Sequence, residues 1–201
     1  MVDYPPLLPT AGWFSLYLKE LSKSQDHLQA LTIANQSISS KEFGRYLLED
    51  SKGNVHVHSI ALEGGGRQLR NSEKMSDLRL SEHGEWRKVH LRSNDALLGK
   101  TPFYRSIEQQ LGSVYSNTRL ESLKEFNLAI FNILYSFLMG NVAPESLMQY
   151  KLKPVLKERG EEIAKLMHPS MSILQDIALY GKETLLGVLA MNEIDTGSNR
   201  G

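Results

Sequence analysis

Two imidazoles, an indole and a guanidinium fall at helical spacing in LSEHGEWRKVHLRSNDALLGKTPFY, the stretch from Leu80 to Tyr104. His83, Trp86, Arg87 and His90 stand at i, i+3, i+4 and i+7, so they share one face of a helix. Such a face can line a pocket for an anionic or sugar-like ligand. Trp86 would stack, Arg87 would pair with phosphate or carboxylate, and His90 would move a proton near neutral pH. The same pattern also fits a tryptophan anchored in the core with His and Arg at its rim, and spacing alone favours that second reading. Ser81 is placed to cap the helix, with Glu82 and Glu85 in its first turn.

Other candidates carry less chemistry. His56 and His58 project from one face of an expected strand, a spacing that can set two nitrogens on a metal. No third ligand stands nearby, so both are expected to be exposed strand histidines and no metal site is expected. Arg45, Arg67 and Arg70 flank the strand pair and the glycine run Gly64–Gly66. They could meet a phosphate, but charges at strand ends are usually solvated. The glycines lack a phosphate-loop pattern, and no GxSxG, HExxH or paired-carboxylate motif occurs. No cofactor is expected.

Composition bounds the class. Lys+Arg and Asp+Glu number 23 each, so net charge is zero, which argues against a nucleic-acid binder. With no cysteine, disulfides and thiol nucleophiles are excluded. The opening MVDYPPLLPTAGWF does not read as a signal peptide, and FNLAIFNILYSFLMG is too short and too interrupted by Asn to span a bilayer. A cytoplasmic protein without membrane insertion is expected.

These residues need elements to hold them. Pro5, Pro6 and Pro9 imply an extended start, and a helix can begin near Gly12, with Trp13, Leu16, Tyr17 and Leu21 as its stripe. Leu28–Ala34 reads as a strand. FGRYLLED and VHVHSIAL read as a hairpin turned at Ser51–Asn54, with Val55, Val57 and Ser59 on one face and His56, His58 and Ile60 on the other. KMSDLRL is a further short strand. Helices are expected over 83–99, 102–116, 119–139, 144–160, 161–168 and 171–190. The stripe Leu120, Leu123, Phe126, Asn127, Ile130, Phe131, Leu134, Phe137 and Leu138 is core by periodicity. Met167, Met171, Leu174, Ile177 and Ala178 likewise read as packing. The fold class is α+β: a small N-terminal β-sheet followed by a mainly helical C-terminal two thirds. A single domain is expected over 1–190, strand-rich over 1–80 and helical over 81–190, with 191–201 a polar tail.

Several blocks, in order, resemble the WbqC-like family. YPPLLPTAGWFSLYL is similar to its opening, and LRLSEHGEWRKVHLRSNDALLGKTPFY to its central signature of a Trp and a His four residues apart followed by a Pro with paired aromatics. LKEFNLAIFNILYSFL and MSILQDIALYGKETLLGVL are similar to its later helices. The resemblance implies a bacterial cytoplasmic protein linked to surface-polysaccharide (O-antigen-type) biosynthesis, in a family described as transferases of a glycine or aminoacyl type. It implies a sugar-nucleotide or aminoacyl substrate, with Trp86 and His90 near the ligand, Arg87 on an anionic group, and Arg45 standing for a family arginine.

The chain also departs from the pattern. In SSKEFGRYLLED, Gly44 replaces the family Asn and Lys41 matches only with a shift; MQYKLKPVLKERG keeps only Tyr150 of a Tyr/Gln/Phe cluster; and Gln175 precedes Asp176 where the family has an Asp after SIL. Two readings stay open. One is a small transferase in which Arg45, Trp86, Arg87 and His90 converge on one cleft, with His90 catalytic and His83 among the ligand-binding residues. The other is a noncatalytic binding or scaffold protein of the same fold, with an exposed apolar patch or a homodimer interface on the C-terminal helices.

Overall fold

The structure is a computed structural model, and it describes residues 2–65, 78–140, 163 and 166–190. Among these residues the elements run α1 (Ala11–Ser24), α2 (His27–Asn35), β1 (Arg45–Glu49), β2 (Val55–Ser59), α3 (Trp86–Leu98), α4 (Arg105–Tyr115), α5 (Leu123–Met139), α6 (Ile173–Tyr180) and α7 (Lys182–Ala190). The class is α+β, with one small antiparallel sheet of β1 and β2 and a helical remainder.

One segment overturns its sequence reading. Leu28–Ala34 is not a strand but the body of α2. Asp26 caps it, its carboxylate accepting from the Leu28 and Gln29 N–H groups at 2.8 and 3.2 Å. Ala30, Leu31 and Ala34 are the buried residues, a helical and not an alternating set, and α2 packs back along α1.

Other boundaries shift for local reasons. The expected helix 119–139 starts at Leu123, because Ser122 and Glu125 form a capping box. The expected helix 171–190 is two helices: Gly181, at φ 78°, closes α6, and Phe103 lies over it, so that a Cβ there would meet the ring at 3.0 Å. Leu78–Leu80 makes only bridge pairs, Leu62 with Leu80 and Arg79 with Ser122. The segment 144–160, residues 161, 162, 164 and 165, Gly66, Arg67, Arg70 and the tail 191–201 lie outside the described residues. No helix among the described residues is long and apolar enough to cross a membrane.

The prolyl start is buried. Tyr4, Leu7 and Leu8 are almost wholly covered, and a segment with no ladder of its own must find partners for its carbonyls elsewhere. Two asparagines provide them. Asn127 of α5 donates through Nδ2 to the carbonyls of Pro5 and Phe43 at 3.0 and 2.8 Å. Asn35 at the end of α2 donates to Val2 and Tyr4 at 3.1 and 3.0 Å, and accepts from the Trp13 indole at 3.2 Å. Trp13 in turn stacks parallel on Tyr17 and meets Phe131 edge-on. The core therefore joins α1 and α5 around the extended segment.

Asn127→Ala should lower stability by about 2–4 kcal/mol, since it strands two buried carbonyls. Urea unfolding checks this; a loss below about 1 kcal/mol would mean that the prolyl segment is held by apolar packing alone.

Candidate functional site

α3 lies under the β1–β2 hairpin with its polar face turned inward. Trp86, Arg87, His90 and Asn94 are all at most 5% exposed. The helix begins only after a 3₁₀ turn at His83–Glu85, where Gly84 and Glu85 take positive φ. Ser81 acts on this turn and not on α3: its hydroxyl accepts from the His83 N–H at 3.3 Å, and its carbonyl accepts from the Trp86 indole at 2.7 Å. That second bond brings Trp86 into the core against Phe126 and Tyr115.

Arg87 is buried beside it. Its guanidinium lies 4.8 Å over the Trp86 ring and 5.1 Å over Phe126. Nη2 donates to the Leu120 carbonyl at 2.8 Å, Nη1 to Asn117 at 3.4 Å, and Nε to Glu82 at 3.0 Å. These donors are occupied in tying α3 to the turn before α5.

His90 is 3% exposed, and its Nε2 is 3.1 Å from the Ser59 carbonyl. A carbonyl only accepts, so Nε2 carries the proton and, in the neutral ring, Nδ1 is a bare acceptor. His58 of β2 lies edge-on to it with ring centroids 5.4 Å apart, and Tyr46 of β1 stacks on His58 at 4.7 Å. The Tyr46 hydroxyl donates to Asn94 Oδ1 at 2.8 Å. Beneath this layer His90 Nδ1 and Asn94 Nδ2 have no hydrogen-bond partner among the described residues. The alternation read for β2 holds, but His58 is 6% exposed and not the exposed strand histidine expected, because α3 covers that face of the hairpin. His56 turns instead to Asp50, with Nε2 at 3.2 Å from Oδ2. Both histidines border the cleft between β2 and α3, and no third metal-ligating side chain joins them among the described residues.

Burial, with His58 as neighbour, depresses the His90 pKa to about 4, against a weaker opposing effect of its bond to Ser59. Burial and the nearby His56 lower that of His58 as well. Both imidazoles are therefore neutral at pH 7, because the protonated rings would be poorly solvated there.

Above the pair opens a cleft of about 550 Å³ between β2 and α3, within the range of small-molecule sites. His58, His90, Trp86, Ser93, Gly84 and three valines line it, and no Lys or Arg does among the described residues. Ser93 Oγ stands 3.5 Å from His58 Nε2. Around the rim Val55, Val57 and Val89 are 51%, 57% and 52% exposed.

Of the candidate residues, the structure brings Trp86 and His90 to one cleft. Arg87 lies behind them with its donors engaged, and His83 is exposed on the 3₁₀ turn outside the cleft lining. Arg45 projects from the other face of the hairpin, as strand alternation against the inward Tyr46 requires. There it lines a separate cavity of about 300 Å³ with Thr10, Ser170 and Ser172. Sequence reasoning read His58 only as an exposed strand histidine and did not single out Ser93 or Tyr46. The signal was present: Ser93 extends the Trp86/His90 helical stripe, and Tyr46 pairs directly with His58 across the hairpin.

A model of the WbqC-like protein family matches residues 5–169 of the 201. The chain belongs to that family. No curated protein and no solved structure matches it.

The His90 shift sets a pH dependence. A histidine whose folded pKa lies below its unfolded value near 6.5 favours the fold while neutral, so its contribution is whole above about pH 6.5 and is lost as pH falls toward about 4. The full loss is about 3 kcal/mol, and His58 adds to it in the same direction. Urea midpoints between pH 7.5 and 4 should fall accordingly, and the fall should shrink in His90→Phe; an equal fall in that variant would assign it to other groups.

Proposed function

We propose that this WbqC-like protein is a cytoplasmic transferase of bacterial surface-polysaccharide biosynthesis, passing an aminoacyl-type group to an amino sugar on a nucleotide carrier. The observation that carries the reading is the pair of neutral imidazoles, His58 and His90, at the floor of a cleft that no Lys or Arg lines among the described residues, with His56 at its edge held by Asp50. Such a floor suits the neutral ends of two substrates, an activated acyl group and an amine or hydroxyl acceptor. It does not suit a diphosphate, which seeks fixed positive charge. The carrier phosphates would then lie outside the cleft.

His58 is the better placed base, and His90 its neighbour and support. The acceptor's proton passes to His58 Nε2 as its lone pair attacks the acyl carbonyl, and the imidazolium returns that proton to the leaving group. Ser93, at 3.5 Å, marks where a hydroxyl reaches this nitrogen. His90, with Nε2 bound to Ser59, keeps the neighbouring ring edge-on. Burial, and His56 beside it, disfavour the charged form of His58, so a proton taken by its ring leaves readily. Arg87 acts in this reading as a structural clamp, and Arg45 serves an anion in its own cavity.

A noncatalytic binding role is favoured by one observation, the exposed Val55, Val57 and Val89 around the same cleft, which would suit an apolar partner or a second copy of the chain.

Incubation with nucleotide-linked amino sugars and aminoacyl donors, followed by mass spectrometry, separates the two. The transferase reading expects an acceptor heavier by one aminoacyl group, with the rate about 100-fold lower in His58→Ala. No product from any pair, or a product formed equally fast by His58→Ala, would overturn it.

A further inference from the structure

Away from the cleft, at the C-terminal end of α3, Asp176 of α6 is 4% exposed. It has no hydrogen bond or ion pair among the described residues. An acid in such a place is costly in its charged form, and burial alone raises its pKa well above the usual carboxylate range. Asp176 also lines a cavity of about 310 Å³. Leu98, Met171 and Leu179 make its walls apolar, and no Lys or Arg lines it among the described residues. Glu49 stands at the same cavity, joined to α6 by a 2.7 Å bond from its backbone N–H to Gln175 Oε1. Glu49 makes no ion pair among the described residues. The neighbouring Asp50 is already occupied by the Lys52 and Asn54 N–H groups and by His56.

We infer that this cavity is a binding site for a small aliphatic amine, whose ammonium pairs with Asp176 and whose stem lies along the leucine and methionine walls. A diamine fits best, with its second ammonium on Glu49. The missing component of the cavity is positive charge: a buried acid without a counter-ion regains its charged form when a cation enters. Methionine and leucine walls accept methylenes, Thr101, His168 and Tyr180 border the cavity as well, and a neutral head brings no charge to offset that of Asp176. The site is separate from the imidazole cleft and does not rest on the transferase reading.

Isothermal titration calorimetry with 1,4-diaminobutane, butylamine and 1-butanol tests this on the full chain. Both amines should bind and the alcohol should not. Asp176→Asn, which keeps the shape, should weaken both amines by at least about 30-fold. Glu49→Gln should weaken the diamine alone, down to the level of butylamine. Because burial favours the protonated carboxyl of Asp176 and an arriving ammonium the ionised one, titrations in buffers of different ionisation enthalpy should show net proton release on amine binding. That measurement needs no variant and decides the matter if Asp176→Asn fails to fold. Absence of amine binding at millimolar concentration, binding unchanged in Asp176→Asn, or binding without proton release would each overturn the assignment.

Discussion

The hydrogen bond from His90 Nε2 to the Ser59 carbonyl joins the helical part of the molecule to its hairpin, and the candidate site depends on it. It fixes the tautomer, sets the ring across His58, and holds α3 against β2. The Tyr46–Asn94 bond, one turn further along α3, secures the same interface from β1. Arg87, on the same buried face, ties the helix to the turn at Asn117–Leu120. A helix fixed to two neighbouring elements by polar bonds in apolar surroundings has little freedom to slide, since each displaced bond would leave a buried group unpaired.

That rigidity extends to the chain's start. The extended prolyl segment makes no ladder, yet it is in the core, and Asn35 and Asn127 supply the donors its carbonyls lack. Asn127 follows Phe126 in α5, and Phe126 carries Trp86 and the Arg87 guanidinium on its ring. One helix therefore serves both the buried start and the back wall of the site.

Much of this was legible in the sequence. The α1 stripe, the hairpin with its alternation, the α5 core face and the helical register of Trp86, Arg87 and His90 all follow from period and turn chemistry. What the period does not say is what covers a face. His83, Trp86, Arg87 and His90 share a stripe, but the hairpin buries the last three while His83 falls on a 3₁₀ turn ahead of the helix. Leu28–Ala34 was ambiguous because a short apolar run fits either state, and the Asp26 cap together with packing on α1 decided it. His58 and Ser93 were invisible as a pair because residues 35 positions apart meet only through tertiary contact. Arg45 was separated from His90 by the same strand alternation that joined Tyr46 to His58.

α3 and the hairpin bring two neutral, buried imidazoles together, His90 from the helix and His58 from β2. NMR titration of the ring nitrogens of His58 and His90 tests it most directly. The structure predicts the Nε2–H tautomer for His90 with a midpoint of about 4, and a midpoint for His58 below the ordinary 6.5. Two rings titrating together near 6.5, with His90 exchanging freely between tautomers, would contradict it.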